Sequence, residues 1–63
     1  MNVNTLNISH YRLTDTSGRR FDLFNRDTNE VYSITGEEHG YIVDHTSVEA
    51  CDVVCDRHRR QSN

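Results

Sequence analysis

The chain contains no lysine and no tryptophan, and it has few of the apolar residues that build a protein core. Hydrophobic residues make up 33% of the 63 positions, and the mean hydropathy is −0.84. These values are low for an independent core. Three tyrosines, two phenylalanines and segments of alternating polarity nevertheless argue against a wholly disordered chain. The length supports a single domain, residues 1–63, with residues 1–5 and 61–63 expected to be frayed.

Long apolar runs and a leader segment are also missing. No apolar run approaches the roughly 18 residues that a membrane span requires. The first residues lack the basic and apolar regions of a signal peptide. We therefore expect a cytoplasmic protein with no membrane partner. The two cysteines lie close together in the sequence, which is not typical of a disulfide framework.

The formal net charge is −3, although all seven basic residues are arginine. Arginine presents a planar fork that matches carboxylates and phosphates, whereas lysine presents a single point of charge. Codon usage in the source genome is the simplest explanation for the missing lysine. The overall acidity is weak evidence against sequence-independent binding of nucleic acid, because that affinity comes from neutralising phosphates. The overall acidity does not exclude a local basic patch.

Alternating polarity predicts β-strands in the first half of the chain. From Arg20 to Asn25 the alternation places Phe24 on the face opposite Phe21 and Leu23. Residues 31–35 form a further alternating segment. Upstream, the apolar phase changes between residues 8 and 11, which predicts either a bulge near Ser9 or His10 or a strand that starts only there.

Three polar segments predict turns, at residues 15–18, 25–30 and 36–40. Residues 41–43 are expected to form a short fourth strand. Sequential strands joined by short turns predict an antiparallel meander.

The clearest helix signal lies at residues 46–60, where apolar residues recur at steps of three and four. Thr46 with Glu49 fits a capping box, and Ser47 is an alternative cap. The stripe consists of Val48, Cys51, Val54, Cys55 and His58. Together the patterns predict an α+β fold: a small antiparallel meander of three to four strands with one C-terminal amphipathic helix packed on one face.

The two cysteines also raise the question of a metal site. Cys51, Cys55 and His58 share one helical face, and His45 precedes the helix, so the four could supply a tetrahedral zinc site. The spacing argues against it, because structural zinc sites usually contain a CxxC turn and none occurs here. Cysteine also behaves as a small hydrophobe on a core face. We expect core cysteines and no cofactor, with zinc as the alternative.

Arginines concentrate at the end of the predicted helix. Basic side chains at a helix end beside a basic turn can bind phosphate or an acidic partner. The simpler explanation is a solvated helix end favoured by the helix dipole. The residues of this nucleic-acid alternative are Arg19, Arg20, Arg57, Arg59 and Arg60.

Catalysis has little support, because the four histidines are scattered and no serine or cysteine has a nearby base with an orienting acid. We expect no catalytic residues. A meander instead leaves two free edges and some apolar side chains for partner binding. The candidate residues are Phe24, Tyr32, Arg57, Arg59 and Arg60.

The sequence therefore favours a small adaptor or inhibitor that docks on a larger protein, with a nucleic-acid-binding regulator as the alternative. Compact acidic proteins of this size suit regulators encoded by phages or other mobile elements, an analogy from size and composition only. A chain this short folds with a small margin of stability, so association with a second copy also stays open.

Overall fold

The computed structural model describes residues 3–16 and 20–61. They form a four-stranded antiparallel sheet and two helices, which confirms the predicted α+β class. The strands follow each other in space in the order of the chain, as a meander. The elements are β1 (Val3–Ile8), β2 (Tyr11–Thr16), β3 (Arg20–Asn25), β4 (Glu30–Ile34), α1 (Gly36–His45) and α2 (Val48–Gln61).

The strand register sorts the side chains onto two faces. Leu13 lies opposite Leu23, and Leu23 lies opposite Tyr32, so these residues share the inner face of the sheet. Phe24 pairs with Val31 on the outer face. The predicted placement of Phe24 on the face opposite its apolar neighbours is therefore confirmed.

A two-residue turn explains the change of apolar phase near the start of the chain. Ile8 pairs with Tyr11, and Ser9 and His10 form the turn between them rather than a bulge. Ser9 has a positive φ of 54°, which a residue other than glycine adopts only with support from its surroundings. Arg26 supplies that support: its guanidinium donates to the Ser9 carbonyl at 3.0 Å, and its backbone N–H donates to the His10 carbonyl at 2.8 Å.

Both chain ends are more regular than expected within the described residues. Strand β1 starts at Val3, so residues 3–5 of the segment predicted to fray lie in the sheet. At the other end Gln61 still belongs to α2. The first two and last two residues lie outside the described residues, as do residues 17–19 between β2 and β3, where part of the turn predicted at residues 15–18 falls.

The predicted turn at residues 36–40 and the predicted strand at residues 41–43 are both wrong, because α1 spans this whole segment. A capping box starts the helix. The Thr35 hydroxyl accepts the Glu38 N–H at 3.0 Å, and the Glu38 carboxylate accepts the Thr35 N–H at 2.9 Å. This pair satisfies two backbone N–H groups that a helix start leaves without partners.

The junction between the helices settles the choice of cap for α2. Thr46 ends α1 in the left-handed conformation, with φ 43° and ψ 47°, and donates its N–H to the Ile42 carbonyl at 2.7 Å. Ser47 caps α2, since its hydroxyl accepts the Ala50 N–H at 3.2 Å. The capping box predicted from Thr46 and Glu49 is therefore absent.

The hydrophobic core lies between the inner face of the sheet and both helices, as the predicted helix stripe requires. Its side chains come from Ile8, Tyr11, Leu13, Leu23, Ile34, Ile42, Ala50, Cys51, Val54 and Cys55. Burial raises the pKa of the Cys51 thiol to about 11 and also raises the pKa of Cys55. Both thiols stay neutral and act as small apolar groups, so the prediction of core cysteines is confirmed.

Candidate functional site

An open groove of about 550 Å³ lies between α1 and α2. The helices are in contact with each other, and α1 also contacts β3. Residues that matter for its chemistry are Glu38, Tyr41, Val53, Arg57, His58 and Gln61.

A buried carboxylate forms the base of this groove. The Glu38 side chain is only 8% exposed. It accepts hydrogen bonds from the Thr35 backbone at 2.9 Å and from His58 Nε2 at 3.0 Å, and Arg57 Nη1 lies 3.5 Å from its second oxygen.

Ionisation of Glu38 is set by two opposing effects. Burial raises its pKa, but the hydrogen bonds from His58 and from the Thr35 backbone outweigh burial, so the pKa lies below its usual value. Because the carboxylate is ionised at neutral pH, His58 Nε2 must carry the proton in this bond. Glu38 therefore links the start of α1 to the end of α2 through a charge-assisted bond.

The walls of the groove are apolar and exposed. Tyr41 on α1 is 40% exposed and Val53 on α2 is 47% exposed. The Tyr41 ring packs against the His45 ring at a centroid distance of 4.3 Å, which restricts its rotation. Arg57 lies at the rim with most of its side chain in solvent. Tyrosine and arginine around an apolar centre are the residue types that carry most binding energy in protein interfaces.

A second polar network joins α2 to β4. Arg59 donates two hydrogen bonds to one oxygen of Glu30, from Nη2 at 2.7 Å and from Nε at 3.3 Å. Its Nη1 donates to Asp56 at 3.1 Å. The Tyr32 hydroxyl donates to the other Glu30 oxygen at 2.9 Å. The hydrogen bonds to Glu30, of which the one from Arg59 has the largest effect, lower its pKa to about 2. Arg59 and Tyr32 are thus engaged within the chain.

The structure separates the predicted partner-binding residues. Phe24 lies on the outer face of the sheet, with the Arg12 guanidinium 4.8 Å from its ring centre. Tyr32 lies on the inner face, where its ring is 5.9 Å from the ring of His58. The two aromatic residues therefore belong to different surfaces. Only Arg57 of the predicted set lines the groove between the helices.

Sequence reasoning missed Tyr41 and Val53. The sequence predicts a strand at Tyr41, and a residue on a strand would not lie beside α2 as Tyr41 does on α1. Val53 lies off the apolar stripe of α2, and an apolar residue outside a helix stripe is itself the signal that would have identified it. A single exposed apolar residue is ordinary and does not by itself indicate a binding site. Val53 becomes a candidate only because the structure places it in the concavity between the helices.

The arginines at the end of α2 divide into two groups. Arg57 and Arg60 line a shallow depression that continues from the groove and includes Val53. Arg59 is directed to Glu30 instead. The helix end therefore offers two arginines to a partner rather than three.

The arginines on the hairpin do not join this group. Arg20 lies on the outer face of the sheet and pairs with Asp22 at 3.3 Å. Arg19 lies outside the described residues. The described members of the nucleic-acid alternative are therefore split between opposite sides of the sheet and do not form one basic surface.

The structure also does not assemble the residues of the zinc alternative. Cys51 and Cys55 are free and buried in the core. His58 is bound to Glu38, and His45 bonds a backbone carbonyl one turn earlier in its own helix at 2.8 Å. Within residues 3–16 and 20–61, no three histidine, cysteine, aspartate or glutamate side chains form a group that could hold a metal ion.

Comparison of the chain with models of protein families, with curated proteins and with solved structures finds no match. In the part of the chain that the structure describes, neither helix is long and apolar enough to cross a membrane. The function is therefore inferred from the residues of this fold alone.

Proposed function

We propose that the chain is a small non-enzymatic module that docks on a larger protein through the groove between α1 and α2. One observation carries the proposal: Tyr41 and Val53, both exposed, line the same concavity from different helices. Two apolar walls around one concavity can enclose a side chain from a partner, which a single exposed residue cannot do.

The hydrogen bonds beneath the groove support this function. Glu38 holds both helices through Thr35, His58 and Arg57, so the walls keep a fixed separation before a partner arrives. A surface that is already ordered loses less conformational entropy on binding. The groove is therefore suited to recognition of one shape.

The groove residues also favour binding over catalysis. No serine or cysteine is among the residues that line it, and His58 is committed to Glu38. Nucleophilic catalysis requires a nucleophile within hydrogen-bond reach of a base. We infer that the module binds and does not react, and that it acts in the cytoplasm.

The rim indicates the chemistry of the partner. Arg57 and Arg60 follow Val53 at successive turns of α2, and the three residues line a depression that continues from the groove. Arginine binds carboxylates through two parallel hydrogen bonds. We expect the partner to insert an apolar side chain into the groove and to place an acidic residue beside it.

The test compares one substitution at two sites. Val53→Glu places a charge in the groove, and Val31→Glu places the same charge on the outer face of the sheet, where Val31 is 60% exposed. The tagged wild-type chain is first used to capture and identify a protein from a lysate. The affinity of each variant for that protein is then measured by titration calorimetry, after circular dichroism has shown that the variant is folded.

We expect Val53→Glu to weaken binding at least about tenfold, the loss typical of a residue that contributes 1.4 kcal/mol or more. Val31→Glu should bind as the wild type does. Equal binding by both variants, or a loss confined to Val31→Glu, would show that the partner uses another surface.

A nucleic-acid-binding regulator is the alternative, supported by the two arginines in the depression beside the groove. Two phosphate contacts give a salt dependence of about −2 in the slope of log affinity against log salt. Arg60→Gln is the suitable variant, because Arg57 and Arg59 also bind Glu38 and Glu30 inside the chain. Oligonucleotide binding that Arg60→Gln abolishes, together with no protein partner, would favour this alternative.

A further inference from the structure

The two edges of the sheet differ in chemistry. At β4 the strand begins with Glu30, which Arg59 and Tyr32 hold in place. Strand β1 has six residues, from Val3 to Ile8, and none of them is charged or proline. Charged residues and prolines are the usual protection of an edge strand against pairing with another strand. The β1 edge has neither.

The helices also leave part of the inner face of β1 uncovered, although Ile8 at the end of the strand is buried. Leu6 pairs with Leu13 in the row that continues to Leu23, and those two residues are fully buried. Leu6 itself is 36% exposed. Val43 on α1 is exposed as well, and it lines a cleft of about 180 Å³ together with Leu6. A cleft with two exposed apolar side chains, Leu6 and Val43, and with polar residues that include Asp15 and His39 therefore lies beside the open edge.

The turn at Ser9 and His10 fixes which backbone groups of β1 are free. In a two-residue hairpin the closing residues, here Ile8 and Tyr11, exchange both backbone hydrogen bonds. Alternation along the strand then directs the N–H and C=O groups of Leu6 towards β2. The corresponding groups of Thr5 and Asn7 point away from the sheet, where a further strand can bind them.

We propose that β1 pairs antiparallel with β1 of a second copy of this chain, with Leu6 opposite Leu6 of that copy. An uncharged strand with a central apolar residue is the complement that this edge requires, and β1 itself has that composition. The two-fold axis then keeps all helices on one face of the joined sheet. It brings both Val43 side chains towards the same apolar cluster.

The register follows from the face pattern. With Leu6 opposite Leu6, Asn4 lies opposite Ile8 and Thr5 lies opposite Asn7 of the second copy. A shift of one residue would place the inner face of one copy opposite the outer face of the other. A shift of two places Leu6 opposite Asn4 in one direction and, in the other, opposite Ile8, which is already buried within its own chain.

The size of the contact predicts a weak dimer. The chain exposes 4293 Å², and a standard interface takes roughly 800 Å² from each partner. One strand edge and one cleft supply less than that. We therefore expect an equilibrium between monomer and dimer in which the fraction of dimer changes over micromolar concentrations of the protein.

The test begins with sedimentation equilibrium of the untagged chain over a range of concentrations. We expect the mass to rise from 7.4 kDa towards twice that value. Leu6→Lys places like charges opposite each other and should remain monomeric throughout. Ser33→Lys places the same charge on the other edge strand and should dimerise like the wild type. A wild type that stays monomeric, or a Leu6→Lys variant that dimerises equally, would overturn the proposal.

A second variant keeps the proposal testable where Leu6→Lys fails to fold. Residues opposite each other in a non-hydrogen-bonded pair have Cα atoms about 4.5 Å apart, within the range for a disulfide. Leu6→Cys should therefore form a covalent dimer under mild oxidation, whereas Ser33→Cys should not. Cys51 and Cys55 are buried and do not compete. Equal cross-linking of both variants, or none, would contradict the pairing.

These measurements are independent of the groove. Val53→Glu should dimerise normally, so loss of partner binding by that variant leaves the dimer unaffected. A monomeric chain in which Leu6→Lys abolishes binding of the larger protein would show instead that β1 receives a strand of that protein.

Discussion

Glu38 offers the sharpest test of how the two helices are held together. Glu38→Gln keeps the size of the side chain and an oxygen that can accept the Thr35 N–H. It removes the negative charge that His58 and Arg57 face. Thr35 and His58 both donate to the same oxygen of Glu38, so the amide oxygen of the variant keeps both bonds without the charge. The amide nitrogen then faces Arg57, which is itself a donor.

The expected loss of stability can be worked from these contacts. A hydrogen bond to a charged group contributes about 1.5–3 kcal/mol and one to a neutral group about 0.5–1.5 kcal/mol, so the bond from His58 loses about 1 kcal/mol or more when its acceptor becomes neutral. The Arg57 pair contributes less than about 1 kcal/mol, because most of the arginine is in solvent. We expect Glu38→Gln to lower the free energy of unfolding by about 2 kcal/mol at pH 7.

The pH dependence provides the more specific result. The pKa of Glu38 in the folded chain is lower than its ordinary value of 4.5. The ionised carboxylate therefore stabilises the fold above about pH 4.5, and this contribution disappears as the pH falls through the folded pKa. The difference between wild type and Glu38→Gln should shrink towards zero in acid. Effects of Glu30 cancel, because both proteins contain it.

Urea unfolding followed by circular dichroism measures these quantities. With a slope of about 1 kcal/mol per molar urea for a small chain, the midpoint at pH 7 should fall by about 2 M. Glu37→Gln is the matched control, since Glu37 is an exposed carboxylate in the same turn of α1, and it should cost less than about 0.5 kcal/mol. Equal losses in the two variants, or a difference that does not change with pH, would refute this account of Glu38.

Two further predictions follow from the cap and the core. Thr35→Ala should lower the free energy of unfolding by about 1 kcal/mol, measured by urea unfolding, whereas Thr35→Ser should be nearly neutral because serine keeps the capping oxygen. Cys51 and Cys55 should not react with a thiol reagent in the folded chain and should both react in urea. Rapid labelling of the folded chain would contradict the core placement. A bound metal would appear in native mass spectrometry as an increase in mass that a chelator removes.

The predictable part of the fold is the part with a regular apolar period. Alternation assigned Phe24 to the outer face, and three- and four-residue steps identified the stripe of α2 that carries Cys51 and Cys55. Burial of one face imposes these periods directly on the sequence. They could not reveal Tyr41 and Val53 as neighbours, because that proximity depends on how α1 packs against α2.

The α1 segment was misread because its two glycines outweighed its cap. Gly36 and Gly40 resemble turn residues, and apolar residues 41–43 follow them like a short strand. The capping-box pattern of Thr35 and Glu38, which precedes the same apolar run, contained the opposite signal. A short helix with glycines gains its stability from the cap and from the burial of Ile42 rather than from its residue preferences.

Gly40→Ala discriminates between these two interpretations of the segment. Gly40 lies in the interior of α1, and a Cβ added there meets no atom within 4 Å. In a helix interior alanine is more favourable than glycine by about 0.8–1.0 kcal/mol, so we expect this variant to raise the free energy of unfolding by nearly that amount. Gly36→Ala, at the first residue of α1 and 3.5 Å from the Phe21 ring, should gain less. Urea unfolding measures both variants. A Gly40→Ala variant less stable than the wild type would indicate that residues 36–40 form a turn, because a glycine that a turn needs cannot be replaced without strain.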